Sequence, residues 1–245
     1  MSGGIRGYLP SSMLDWPGRL AAVIFIGGCN LRCPFCHNHQ LVRRASGLTE
    51  IPWEELRDKL ERKKGWLDGV CVTGGEPTLW EALPGLLRSL REMGFSTKLD
   101  TNGTQPGVLR SLLREGLLDS VSLDMKSSPG KYGLATGNGT PFDKVGESLE
   151  LLLGSPLELE LRCTVVPGLV EMEDLLELAS MLQGRAGLTL QQFRPHDVLD
   201  PAYSDLQPYG EDLLREWAAA LGELIPVTLR GLRAQAPPGA RERVP

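Results

Sequence analysis

Apolar and polar positions along this chain follow two periods that take turns. A continuous β-branched and aromatic run at 22–26 ends in Gly27 and Gly28 and predicts a first strand. Pro52 then opens a stretch to about residue 64 with Trp53, Leu56 and Leu60 at helical spacing, which predicts a helix. The exchange continues to the end of the chain. Strands are expected at 70–73, 97–99, 121–124, 157–166, 188–193 and 226–229, with helices at 79–93, 107–114, 142–153, 172–183 and 210–224. Repeated βα units imply an α/β fold with a parallel sheet, either doubly wound or curled into a barrel.

The pattern inside the strands separates those two. Glu158, Glu160, Arg162 and Thr164 share one face of a strand, and Leu159, Leu161, Cys163 and Val165 share the other. Ser120, Ser122 and Asp124 likewise oppose Val121 and Leu123, while Thr189 and Gln191 oppose Leu188 and Leu190. A doubly wound sheet covered by helices favours strands that are apolar on both faces. A barrel whose interior holds a polar ligand needs one apolar and one polar face, unlike a barrel filled by its own core. Strand ends or edge strands would give the same pattern with the polar face in water. The expected organisation is a single barrel domain at 21–230, an N-terminal extension at 1–20 and a frayed tail at 231–245 rich in Pro and charge.

Composition removes several classes. A length of 245 residues suits one barrel, and 41% apolar with 23% charged residues describes a folded globular chain. The net charge of −5 argues against a nucleic-acid stripe. The longest mostly apolar run, 20–28, is far short of the roughly 20 residues of a membrane span, and the N-terminus has no apolar signal region. The expectation is a cytoplasmic protein without membrane or nucleic-acid partner.

Cysteine carries the chemistry. Three of the five, Cys29, Cys33 and Cys36, fall in the loop just after the first predicted strand, where α/β folds place ligands. An odd, clustered set is not a disulfide framework. No fourth Cys follows at similar spacing. Either His37 or His39 completes a closed zinc site, or the three thiolates hold a [4Fe–4S] cluster with one iron open to substrate. Cys71 and Cys163 lie in apolar runs and read as small core residues.

Gly74, Gly75, Glu76 and Pro77 end the second predicted strand and alone would read as a turn. Together with the cysteine spacing, they resemble the signature of the radical S-adenosylmethionine enzymes. The resemblance runs from about Gly7 to Tyr203 and narrows to the glycyl-radical-enzyme activating proteins. It is nearest to the activators of anaerobic ribonucleoside-triphosphate reductase. The residues that carry it are Asp15, Trp16, Pro17 and Gly18; His37 and Asn38 after the last cysteine; Asp100 to Gly103; Asp124, Met125 and Lys126; and Arg162.

The resemblance implies a partial (β/α)6 barrel with an open side, and one [4Fe–4S] cluster on Cys29, Cys33 and Cys36. It implies S-adenosylmethionine held by Asn38, Gly74, Gly75, Glu76, Asp100, Thr101, Asp124, Lys126 and Arg162, and by His196 after a shift of about one position. In this reading Glu76 meets the cofactor's ammonium, its glycines letting the backbone come near. Arg162 offers donors to the carboxylate or ribose. Asp100 and Asp124 share a monovalent cation, unless Lys126 neutralises them; helix caps are the plain alternative for each carboxylate. His37 stands outside the ligand set. Residues 38–52 contain no Cys, so a second cluster is not expected.

The implied activity is reductive cleavage of S-adenosylmethionine to a 5′-deoxyadenosyl radical, which installs a glycyl radical on anaerobic ribonucleotide reductase. The electron comes from a flavodoxin- or ferredoxin-type donor. The rivals are activation of another glycyl radical enzyme such as pyruvate formate-lyase, and small-molecule chemistry of the carboxydeazaguanine synthase kind. From a different class, a zinc-bound interaction module leaves the Gly-Gly-Glu-Pro motif unexplained.

Overall fold

A computed structural model describes residues 3–43 and 47–232, so most of the expected tail at 231–245 lies outside the described residues. Eight strands form one sheet in sequence order: β1 (Ile5–Ser12), β2 (Ala21–Ile26), β3 (Gly69–Gly74), β4 (Ser96–Thr101), β5 (Ser120–Asp124), β6 (Glu158–Val165), β7 (Leu188–Gln192) and β8 (Val227–Arg230). β2 to β8 are parallel, and β1 runs antiparallel to β2. β1 and β8 do not pair, so the sheet stays open.

Six crossovers carry helices, as a partial (β/α)6 barrel requires: α2 (Trp53–Glu61), α3 (Leu83–Glu92), α4 (Pro106–Arg114), α6 (Asp143–Leu153), α7 (Met172–Leu182) and α8 (Glu211–Leu221). Two short helices, α1 (His39–Arg43) and α5 (Tyr132–Ala135), sit in loops at the carboxyl end of the sheet. Each long helix lies within a few residues of its predicted span. α3 shows why. Pro84 sits in its first turn, and Leu83, Leu86, Leu87 and Leu90 are all buried at spacings of three and four. They join Ala22, Ile24, Ile26, Val70 and Val72 from the outer face of the strands in one apolar core. Truncating Leu87 to Ala in such a core costs about 2–5 kcal/mol.

β1 is the element that sequence periodicity does not predict. It carries Pro10, has two register irregularities and borders only β2, which is where a strand tolerates proline. The expected extension is therefore an edge of the sheet. The chain returns from β1 through Trp16, which is fully buried, and its ring lies against Gly69 at the start of β3. Trp16 Nε1 donates to Glu158 Oε2 at 3.3 Å, and Arg19 stacks 4.8 Å over the ring. Trp16 thus stops the interior at the amino ends of the strands. Among the described residues, no helix is long and apolar enough to cross a membrane.

Candidate active site

The loop after β2 has little secondary structure of its own and is held by its neighbours. Arg32 N donates to Thr136 O at 2.8 Å, Asn138 Nδ2 to Asn30 O at 2.7 Å, and Asp200 N to Pro34 O at 2.9 Å. Arg32 also turns its guanidinium back onto the carbonyls of Cys29 and Leu31, at 2.8 and 2.7 Å. Within the loop, Cys36 N donates to Cys33 O at 3.1 Å, the tight turn that a two-residue spacing makes. Cys29 and Cys33 are buried, Cys36 partly so, and all three line one cavity of about 470 Å³ at the carboxyl ends of the strands.

Burial pushes the Cys29 thiol up to about 12 and Cys33 up to about 11, and raises Cys36 as well. The Lys126 ammonium opposes the rise at all three. Two N–H groups also point at the Cys29 sulfur, Leu31 N at 3.4 Å and Asn102 Nδ2 at 3.9 Å. Soft sulfur donors beside a fixed positive charge suit iron–sulfur ligation, in which the metal deprotonates the thiols outright. A zinc site fares worse. His37 Nε2 pairs with Arg194 O at 2.9 Å and His39 Nε2 with Asp197 Oδ1 at 2.8 Å. Among the described residues, no three His, Cys, Asp or Glu side chains are arranged to hold a single metal ion.

The turn after β3 explains its own glycines. A Cβ on Gly75 would lie 2.1 Å from Gly28 O, and one on Gly74, whose φ is +126°, would lie 2.3 Å from Ile26 O. The pair lets the end of β3 press against the end of β2 beneath the cysteine loop, where Gly75 N and Glu76 N donate to Ile26 O and Gly28 O. Asn38 Nδ2 closes the far end of the loop onto Gly74 O at 2.9 Å. Glu76 is buried and does not line the cavity. Its Oε1 accepts from Thr78 N at 3.1 Å, Thr101 Oγ1 at 2.7 Å and the Thr78 hydroxyl, and its Oε2 from Asn102 N at 2.6 Å. Burial pushes this carboxyl up while those four donors hold it back. Glu76 braces the ends of β3 and β4 against each other, its carboxylate turned to these donors and not to the cavity.

On the inner face of the sheet lies a chain of charges. Lys98, Asp100, Arg162, Asp124 and Lys126 alternate in sign across β4, β6 and β5. Lys98 Nζ donates to Asp100 Oδ1 at 2.8 Å, and Arg162 Nη1 to Asp100 Oδ2 at 3.2 Å. Arg162 Nε donates to Asp124 Oδ1 at 2.8 Å, and Lys126 Nζ to Asp124 Oδ2 at 3.1 Å. Burial opposes ionisation of both carboxyls, but Arg162 and the lysines outweigh it and hold them below the usual carboxylate range. The carboxylates expected to share a monovalent cation are instead joined to side-chain cations. All four oxygens already accept from a cationic nitrogen, and the Arg162 guanidinium fills the gap between the two side chains.

The structure brings Asn38, Gly74, Gly75, Asp100, Thr101, Asp124, Lys126 and Arg162 onto one cavity with the three cysteines. His196 is exposed and stays outside it, so its expected place at the cofactor is not met. Phe25 and Thr73 line the cavity unanticipated, while Thr164 and Gln191 reach it from the polar strand faces. Lys98 is the larger omission: a lysine two residues before Asp100 in a predicted strand shares its face, and that spacing alone could have found it. The two remaining cysteines part company. Cys163 joins the apolar core beneath the helices, whereas Cys71 pairs in register with Lys98 and belongs to the inner face.

An open parallel barrel with buried thiols on the loop after its first parallel strand defines a class, and comparison with known proteins agrees. The chain belongs to the radical SAM superfamily, whose model matches residues 23–182. It is 32% identical over 218 residues to a Methanocaldococcus jannaschii protein named as a candidate glycyl-radical enzyme activating enzyme, covering 86% of this chain and 89% of the relative. It is 31% identical over 205 residues to the pyruvate formate-lyase-activating enzyme of Clostridium pasteurianum, covering 80% and 83%. A shorter match, 35% over 128 residues, links it to the 7-carboxy-7-deazaguanine synthase of Methanopyrus kandleri, covering 44% and 50%. The crystal structure of Streptococcus suis SuiB bound to precursor peptide SuiA shares the fold with a TM-score of 0.68 at 16% identity, over 85% of this chain and 48% of that one. The chain thus spans about half the length of that structure. The two longer relatives put it with the glycyl-radical-enzyme activating proteins, enzymes of radical chemistry. Superfamily membership implies a [4Fe–4S] cluster and S-adenosylmethionine.

Proposed function

We propose that this enzyme installs a glycyl radical on anaerobic ribonucleoside-triphosphate reductase. The observation that carries the reading is one cavity shared by three thiols of a single loop and the charge chain of Asp100, Arg162, Asp124 and Lys126. In this reading Cys29, Cys33 and Cys36 hold the cluster, with Lys126 favouring their thiolate form. When bound, the cluster and S-adenosylmethionine supply an alkyl radical able to take a hydrogen atom from a glycine Cα.

The chain's own residues bind, orient and exclude water. Lys126 and Arg162 present cationic donors to a carboxylate at the mouth of the cavity. The Gly74 carbonyl, oriented by Asn38, is an acceptor for an ammonium. Phe25 and Leu199 supply apolar wall on which a nucleoside can lie out of water. The size of the cavity, about 470 Å³, suits a cofactor of that class. The open side of the sheet leaves room for a flexible partner loop carrying the glycine.

Relatives named for glycyl-radical activation support the partner class. The stretch Asp15 to Gly18, the Cys36, His37, Asn38 sequence and Asp124, Met125, Lys126 favour the activating proteins over the small-molecule enzymes. A flavodoxin- or ferredoxin-type protein is the proposed reductant, in the cytoplasm. The test is to mix anaerobic protein, S-adenosylmethionine, reductant and the reductase, unlabelled or deuterated at its target glycine. The expected result is a glycyl EPR doublet on unlabelled reductase that collapses to a single narrow line when the glycine carries deuterium at Cα, with that deuterium recovered in 5′-deoxyadenosine. The Methanopyrus kandleri match gives the small-molecule reading its footing. Turnover of a pterin with no deuterium transfer would establish that reading, and a doublet on pyruvate formate-lyase alone would change the partner.

A further inference from the structure

We propose that Lys98, a tethered cation on Asp100, together with Arg162 between Asp100 and Asp124, supplies the charge that a free monovalent ion would otherwise bring to that pair, so that cofactor binding by this enzyme is independent of K⁺ and Na⁺. The inference rests on the reading of the cavity as a cofactor site. Lys98 sits in the middle of β4 with its side chain only 1% exposed. A buried ammonium is costly unless paired and hydrogen-bonded. Here it donates to Asp100 Oδ1 at 2.8 Å and to the Asp15 carbonyl at 2.7 Å, and Glu160 Oε2 lies 3.9 Å away.

The charges near the pair leave little for an added ion to do. Asp100, Asp124 and Glu160 face Lys98, Lys126, Arg162 and Arg230, whose Nη2 donates to Glu160 Oε1 at 2.7 Å. With Asp15, which lines the same cavity, four acids face four bases, so the charge of the pair is already balanced without an added ion. A hard cation needs several oxygens at once to replace its water. Every carboxylate oxygen of the pair is engaged by a cationic nitrogen, and like charge would stand next to the ion on each side. Lys98 differs from a free ion in a second way. Through the Asp15 carbonyl it ties the cofactor-side carboxylate to the segment that carries Trp16, so the charge is fixed in place without depending on salt.

The test measures S-adenosylmethionine binding to anaerobic, cluster-loaded protein by calorimetry in choline, sodium, potassium and ammonium chloride at equal ionic strength. Wild-type affinity should agree across the four salts within about twofold. Lys98→Met keeps the length of the side chain and removes its charge. It should bind about tenfold more weakly in choline and recover most of that loss in K⁺ or NH₄⁺, while Lys98→Arg stays salt-independent. Melting of the cluster-free protein gives an independent readout: K⁺ should raise the Tm of Lys98→Met and leave that of wild type unchanged. Wild-type binding strengthened about tenfold by K⁺, or a wild-type Tm raised by K⁺ over choline, overturns the proposal. If Lys98→Met does not fold, those wild-type series decide alone. Absence of binding in every salt would instead count against the cofactor reading, and the melting series would still decide whether the site takes an ion.

Discussion

At the amino ends of the strands the interior is stopped by one aromatic ring. Trp16 is fully buried, packs on Gly69 and hydrogen-bonds Glu158. At the carboxyl ends the same inward faces carry Asp100, Asp124, Arg162 and Lys126, and a cavity takes the place of a side chain. The floor is closed by packing, whose energy comes from apolar area withdrawn from water. The mouth is held by paired charges, which add little net stability but fix where charge stands. A parallel barrel divides its labour this way, with stability at the bottom and chemistry at the top. Damage to the two ends should therefore be separable.

The largest effect is expected at the mouth and should leave the fold intact. Cys33→Ala should lose nearly all iron from anaerobically prepared protein, while Cys71→Ala and Cys163→Ala keep it, because only the first lies on the cavity. Loss of iron from Cys71→Ala equal to that from Cys33→Ala would break the assignment. At the floor the sign reverses. Trp16→Ala should cost about 3–5 kcal/mol in urea unfolding of the cluster-free protein. A stability loss below about 1 kcal/mol would mean that the ring is not what closes the barrel.

Glu76 lies between the two regimes and sharpens the comparison. Whichever way a glutamine turned, its amide NH₂ would face an N–H donor, Asn102 N or Thr78 N. Glu76→Gln should therefore destabilise by about 1–3 kcal/mol. Unchanged stability with weakened S-adenosylmethionine binding would show that Glu76 meets the cofactor directly. Acid should act on the mouth in a defined direction. Asp100 and Asp124 are held below the ordinary carboxylate range in the fold. Their contribution is present above about pH 3.9 and is lost as pH falls through the lower folded values. Asp124→Asn should flatten the dependence of unfolding free energy on pH below about 4, and an unaltered slope would contradict the pairing. The smallest effect is expected for His196→Ala, exposed and outside the cavity, with stability within about 0.5 kcal/mol of wild type and unchanged cofactor affinity.

Much of this was legible in the chain because it is local. Helix spacing in Leu83, Leu86, Leu87 and Leu90, the two-residue alternation of β6, and the glycines that end β2 and β3 each depend on a few neighbours in sequence. The cysteine spacing likewise contains its own geometry, so the mouth of the barrel could be located before any strand was paired. β1 escaped because its Gly, Pro and Ser content makes sense only on an edge, and edges exist only once a sheet has formed.

The periodicity of the sequence determined that seven strands would alternate with helices, that one face would be polar, and that three thiols would gather after the first parallel strand. Only the tertiary structure decided what the polar face does with its charges. Lys98 and Asp100 are two residues apart, but Arg162 reaches Asp100 across 62 positions of chain and Lys98 reaches the Asp15 carbonyl across 83. The side of the sheet taken by Cys71, the turning of Glu76 onto Thr101 and Asn102, and the entry of Trp16 into the floor are of the same kind. Each depends on which side chain comes within hydrogen-bond or van der Waals reach once the strands lie side by side, and a one-dimensional pattern contains no such distance.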